Sequence, residues 1–174
     1  STIPHVWHRH ILDCAQLAKF HMDRTHWIDL GAGAGLPGIV VAILRQDTNP
    51  NFSLHLVESN GKKCAFLREA SRICGLSAEI HSARIESALP QIFPKAQTWT
   101  GAVVSARALA SLEQLLAYSS LALNYGAEAV FMKGMEAQSE LTEAQKSWHI
   151  DAELIPSVTE PDARIVLVRQ ARHR

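Results

Sequence analysis

The residues best suited to chemistry in this chain stand between Asp29 and Glu58. DLGAGAGLPG, residues 29–38, alternates Gly31, Gly33 and Gly35 directly after the apolar segment WIDLG and directly before GIVVAILRQ. Glycine at such a turn takes positive φ and lets a ligand lie against the main chain with no Cβ in its way. Asp29 can accept hydrogen bonds from a ligand ammonium or tie the loop down. Glu58 closes the next apolar segment, FSLHLVE, where a carboxylate can accept both hydroxyls of a ribose. Gly33, Gly35 and Gly38 also satisfy G-x-G-x-x-G, the dinucleotide fingerprint, in which a helix N-terminus holds a pyrophosphate. A tight strand-to-helix turn that binds nothing would use the same glycines.

Apolar periodicity shows what carries these residues. It predicts helices over 9–19, 38–46, 62–74, 111–123 and 136–147, the first with Ile11, Leu12, Ala15 and Ala18 on one face. Strands are predicted over 27–31, 52–58, 77–81, 101–106, 126–134, 149–155 and 164–170. Pro37 suits a first helical turn, and Gly75 ends the helix before it. Strands alternating with helices require a mostly parallel sheet with helices on both faces. Only SVTEPDA separates the last two strands, so they can pair only as an antiparallel hairpin.

A plain dinucleotide fold would continue with parallel units. The expected fold is therefore α/β, of the class I S-adenosylmethionine-dependent methyltransferase type (Rossmann-like): seven strands, mostly parallel, closing on an antiparallel hairpin, with residues 1–174 as a single domain. Two further features favour S-adenosylmethionine over NAD(P). Asp29 stands two residues before Gly31, and Glu58 lies 25 residues past Gly33 instead of about 20. Ile85 and Glu86 follow the third strand, where a methyltransferase covers and hydrogen-bonds the adenine; a bare helix start would read the same way.

Composition narrows the class. The chain has 174 residues, 47% hydrophobic, with 17 basic and 17 acidic side chains and zero net charge. That excludes a uniformly basic nucleic-acid coat and an acidic disordered tail. The zero is an average: residues 1–112 carry +3, residues 136–162 carry −6, and the four arginines from Arg164 onward add +4. No apolar run reaches the roughly 18 residues of a membrane span, and the start lacks a signal-peptide layout, so a cytoplasmic protein with no membrane partner is expected. Cys14, Cys64 and Cys74 are odd in number and never spaced C-x-x-C, which predicts free thiols. His5, His8 and His10 lie at a chain end with no fixed carboxylate partner, so no metal is expected there or elsewhere. Trp7 reads as an exposed aromatic covering further helices or stacking on a base.

RHILD at 9–13, DLGAGAGLPG at 29–38, SNGKKCAFLRE at 59–69, VVSARALASL at 103–112 and MKG at 132–134 together resemble the ribosomal RNA small subunit methyltransferase G family, also called glucose-inhibited division protein B. One spacing departs from the family: Ser105 and Arg107 are separated by Ala106. Another departure is that only eight residues precede Arg9, where the family carries several N-terminal helices. The resemblance implies methyl transfer from S-adenosylmethionine to N7 of a guanosine in the decoding-region loop of 16S ribosomal RNA. It implies that Gly31 and Leu36, Ile85 and Glu86, and Arg107 bind the cofactor, with Glu58 on the ribose. The partner would be 16S ribosomal RNA or the small ribosomal subunit, met by a monomer. An NAD(P)-dependent oxidoreductase and a catalytically silent RNA-binding module are the alternatives.

Guanine N7 has an in-plane lone pair and no proton to lose, so its methylation needs positioning and no general base. VSARALA agrees, since it carries neither the N-P-P-Y of exocyclic-amine methyltransferases nor a nucleophilic cysteine. The product purine is cationic, which makes Arg107 a binding and orienting group, for the methionine carboxylate, a phosphate or guanine O6. N7 lies in the major groove, closed to side chains in A-form RNA, so the target must be a loop, a splayed base or RNA held open. Candidate RNA contacts are Lys62, Lys63, Arg68 and Arg72 on one helix, Arg9, and Lys133. Gly31→Val is expected to abolish cofactor binding while leaving the fold largely intact. Replacing Lys62 and Lys63 by Glu is expected to weaken RNA binding in a salt-dependent filter assay and to spare cofactor affinity; unchanged RNA affinity would mark that helix as solvated surface.

Overall fold

The computed structural model describes residues 5–20, 23–93 and 99–174. Seven strands, β1 His26–Leu30, β2 Ser53–Glu58, β3 Ala78–Ser82, β4 Ala102–Arg107, β5 Glu128–Lys133, β6 Trp148–Pro156 and β7 Arg164–His173, form one sheet in the order β3-β2-β1-β4-β5-β7-β6. The first five are parallel. β7 then runs antiparallel between β5 and β6, as the short SVTEPDA connection demands. The central strands HWIDL and AVVSAR are buried along almost their whole length, the pattern of parallel strands covered on both faces.

The helices are α1 Asp13–Ala15, α2 Gly38–Arg45, α3 Gly61–Ile73, α4 Ile85–Ile92, α5 Leu112–Asn124 and α6 Ala137–Ala144. Alternation along the strands splits the core between two layers. Ile28, Leu30, Val57 and Phe131 face α4, α5 and α6 through Leu89, Leu112, Leu115 and Leu141. Trp27, Leu54 and Leu56 face α2 and α3 through Ile39, Val41 and Leu67. Strand order reverses between β1 and β4, so the carboxyl ends of these two strands open the crevice where such sheets bind ligands.

Three local features differ from the sequence reading. The helix expected over 9–19 is one helical segment of changing pitch: wide-pitched over Trp7–Leu12, α over α1, tight-pitched over Gln16–Lys19. The pitch change rotates the buried face, so Cys14, Gln16 and Leu17 are buried while Leu12 is half exposed. The helix start at Ile85 and Glu86, left open beside an adenine contact, grows into a full helix, α4, that runs through Pro90 to Ile92. β6 and β7 are also longer than expected, each extending its partner's ladder across a bulge at Asp151/Ala152.

At the end of β5, Lys133 lies on Glu140 of α6 at 2.8 Å and donates to the Ala110 carbonyl at 2.9 Å. Glu140 also accepts the Leu112 N–H at the start of α5. Lys133, expected as an RNA contact, is thus committed to holding three elements together. Glu140→Ala would strand a largely buried ammonium and an N–H at once, and is expected to cost about 2 kcal/mol in urea denaturation.

Candidate active site

The glycine loop is organised from below by Asp29. This carboxylate is fully buried. It accepts the Ser105 hydroxyl at 2.8 Å and the Gly38 N–H at 3.0 Å, while Trp27 Nε1 donates to the same Ser105 oxygen at 2.8 Å. Of its two possible roles, Asp29 therefore ties the loop down. Burial pushes its carboxyl up to about 7, with the Ser105 and Gly38 hydrogen bonds acting the other way.

Above it, Gly31, Gly33 and Gly35 all hold positive φ, at 62°, 54° and 84°. A Cβ on Gly31 would fall 2.6 Å from Leu109 Cδ1, and one on Gly35 would fall 2.5 Å from Ile39 Cδ1. The expectation that Gly31→Val spares the fold is corrected accordingly: its Cβ would strike the loop after β4 as well as any ligand. Gly33 is different. A Cβ there meets only the Gly31 carbonyl, at 3.6 Å, so its bare face opens outward.

Glu58 ends β2 beside that face. Its Oε2 accepts the Gly33 N–H at 3.1 Å and its Oε1 accepts the Asn60 N–H at 2.8 Å. Each oxygen keeps a further lone pair for a hydroxyl. Asn60 in turn caps α3, accepting the N–H groups of Lys62 and Lys63. Leu36 is half-buried at the loop's end, Ile85 is half-buried against the core at the start of α4, and Glu86 is exposed there. The residues expected to form a cofactor cradle therefore come from the carboxyl ends of β1 and β2 and the segment after β3.

Arg107 is the exception. Its Nη2 donates to the Arg9 carbonyl at 3.0 Å and to His10 Nδ1 at 3.1 Å, and lies 3.4 Å from Asp13 Oδ2. These contacts anchor RHILD, the segment carrying Arg9, to β4, and they leave Arg107 at the border of the cleft described below. Asp13 extends the network, accepting Thr159 Oγ1 at 2.6 Å and Gln16 Nε2 at 2.9 Å. Gln16 also accepts the Val158 N–H and donates to Ser157 Oγ, so the N-terminal segment docks on the turn between β6 and β7. Between this segment and the ends of β4 and β5 lies a cleft of about 1020 Å³, bordered by Arg9, Asp13, Arg107, Leu109, Lys133 and Glu136.

Among the remaining candidates, Lys62, Lys63 and Arg68 are exposed on α3. Arg72 is exposed but pairs with Glu69 through two hydrogen bonds of 2.9 and 2.7 Å. The three cysteines are free thiols, and burial pushes Cys14 up to about 12 despite the opposing Arg107. No helix among the described residues is long and apolar enough to cross a membrane. Sequence reasoning missed Ser105 as the partner of Asp29, because the pairing exists only once β1 and β4 are neighbours. It also missed the cleft, which exists only because the N-terminal segment folds over distant strands.

A seven-stranded sheet with β7 inserted antiparallel, a glycine loop after β1 and an acid ending β2 define a class I S-adenosylmethionine-dependent methyltransferase fold. An O-methyltransferase from Bacillus cereus, solved in complex with SAH, shares this fold with a TM-score of 0.64 at 14% identity over 92% of this chain and 80% of its own. The family model for rRNA small subunit methyltransferase G matches residues 1–166, and the chain belongs to that family. A ribosomal RNA small subunit methyltransferase G from Methylobacterium nodulans is 47% identical over 169 residues, covering 97% of this chain and 76% of the relative. One from Methylorubrum extorquens is 44% identical over 168 residues with the same coverage. The oxidoreductase alternative finds no support in this fold or this family.

The buried Asp29 carboxyl makes stability pH-dependent. Its folded value stands above the unfolded one, so the native state holds the extra proton between about pH 4 and pH 7. Asp29's contribution is full below the lower value and is lost as pH rises through the upper. Urea denaturation at stepped pH is expected to show stability falling across this window, and Asp29→Asn, although less stable overall, is expected to flatten that slope.

Proposed function

We propose that this chain transfers the methyl group of S-adenosylmethionine to N7 of a guanosine in the decoding-region loop of 16S ribosomal RNA. The observation that carries the reading is the adjacency of two spaces at the sheet's carboxyl ends. The open face of Gly33 beside Glu58 fits a nucleoside with two vicinal hydroxyls. The cleft beyond Leu109 has the volume for a purine nucleotide. Leu109 separates them, packed on the Gly31 position.

The bound cofactor supplies an electrophilic sulfonium methyl. The chain's own residues do the rest. Glu58 holds hydroxyls, Gly31 and Gly33 allow close approach, and Ile85 and Glu86 border the adenine position. Arg107 is a positioning residue, acting through the RHILD segment that walls the cleft. The carboxylates of Asp13, Glu136, Glu140 and Glu160 around that cleft are balanced by Arg9, Arg107, Lys133 and Arg164, so the reading rests on positioning and not on a net anionic wall. No proton has to leave the base, so no residue is assigned as a general base. Lys62, Lys63 and Arg68 are the candidate phosphate contacts, and the chain acts as a monomer on RNA or on a small-subunit particle.

The test is a product map. The chain is incubated with labelled cofactor and either 16S ribosomal RNA or small-subunit particles, followed by borohydride and aniline cleavage at N7-methylguanosine. One cleavage in the decoding-region loop is expected; a methyl group elsewhere, or cofactor binding without transfer, overturns the reading. Gly33→Ala, which puts a Cβ into the open face and also strains a backbone at φ 54°, is expected to lower S-adenosylhomocysteine affinity at least tenfold, about 1.4 kcal/mol, in calorimetric titration of protein whose folding is checked by circular dichroism.

A further inference from the structure

On the sheet face covered by α4, the edge strand β3 meets β2 through an unusual set of side chains. His55 of β2 is paired in register with Glu79, and Val57 with His81, so His55, Glu79 and His81 project from the same face. His55 Nδ1 and His81 Nε2 are 3.1 Å apart. The Glu79 carboxylate lies over both, with Oε2 3.5 Å from His55 Nδ1 and Oε1 3.8 Å from His81 Nε2. One donor atom from each residue falls within 4.8 Å of the other two. The imidazoles are largely buried and stacked, with centroids 5.3 Å apart, while the carboxylate is exposed.

We propose that His55, Glu79 and His81 bind a divalent transition-metal ion of the zinc class, clipping β3 to β2. Two nitrogens bound at zinc–nitrogen distances in a tetrahedral site stand about 3.3 Å apart, close to the separation already present. Imidazole and carboxylate donors suit zinc among the available divalent ions, and three protein ligands leave the fourth position to water. Burial lowers both histidines, His55 to about 4, against the pull of Glu79.

The fold gives the clip a purpose. β3 ends the sheet, hydrogen-bonded only to β2 among the described strands, and none of its five residues is fully buried. Two residues after it, α4 begins with Ile85 and Glu86. An ion bridging β2 and β3 would fix the edge from which that segment departs. His26 of β1 lies on the same face and is occupied differently, bonded to Ser53 Oγ at 2.6 Å and packed edge-on against Trp99.

The test titrates the chelator-stripped 174-residue chain with zinc chloride in competition with a chromophoric chelator, and with cobalt chloride read by its visible spectrum. Wild type is expected to take one ion with submicromolar Kd, to show the intense visible bands of tetrahedral cobalt, and to exchange β3 amides more slowly with zinc present. Glu79→Gln, at an exposed position that leaves folding alone, is expected to weaken zinc roughly tenfold and to change the cobalt spectrum. The double variant His55→Gln/His81→Gln, its folding checked by circular dichroism, is expected to lose the site while keeping His5, His8 and His10. Equal binding by wild type and the double variant would place the ion elsewhere and overturn the proposal. So would the absence of saturable binding, which would leave a hydrogen-bonded histidine pair.

Discussion

The buried Asp29 carboxylate is the constraint from which the site is built. A charged or half-charged group with no exposure needs its hydrogen bonds met inside the protein, and Asp29 meets them with one donor from each side. Ser105 brings in β4, and through the shared hydroxyl it also satisfies the indole of Trp27. Gly38 brings in the first turn of α2. The loop between Leu30 and Gly38 is closed at both ends by this one residue, so its path follows from where β1, β4 and α2 already lie. Positive φ at three glycines then follows as the way to fit the chain into that span.

A second network works over longer range. Asp13, Gln16 and Arg107 bind the N-terminal segment to β4 and to the turn between β6 and β7. Partly buried charges are retained only when paired and hydrogen-bonded, and here each finds its partner on an element distant in sequence. The wall of the cleft is therefore specified by contacts between the two ends of the chain. RHILD, read from the sequence as the start of an amphipathic helix, supplies the Asp13 carboxylate and the Arg9 carbonyl to this joint.

Much of this was legible beforehand. Alternating apolar segments announced the parallel sheet, the short SVTEPDA connection forced the final hairpin, and Asp29, the glycines and Glu58 do come together at the carboxyl ends of β1 and β2. What escaped the sequence was what depends on which strands become neighbours. β1 beside β4 puts Ser105 on Asp29, and β2 beside β3 puts His55 against Glu79 and His81; neither adjacency is written in local periodicity. Arg107 was read as a binding and orienting group from the resemblance, and its contacts to the RHILD segment depend on a chain path that no local pattern shows. The helix start at Ile85 and Glu86 was readable, but how far α4 runs was not, since Pro90 sits inside it near its end.

The zero net charge now has a local explanation. At the cleft two of the cations are matched in place, Arg107 by Asp13 and Lys133 by Glu140, and on α3 Arg72 is matched by Glu69. Exposed on that helix, and without such a match among the described residues, stand Lys62, Lys63 and Arg68. Three phosphate contacts on single-stranded RNA would release only about two counterions, too few for tight, indiscriminate binding at physiological salt. Under the proposed activity, discrimination must then come from whether a base can be presented to a cleft of fixed shape. Walls made by internal ion pairs suit that task, because they hold their geometry without competing for phosphate.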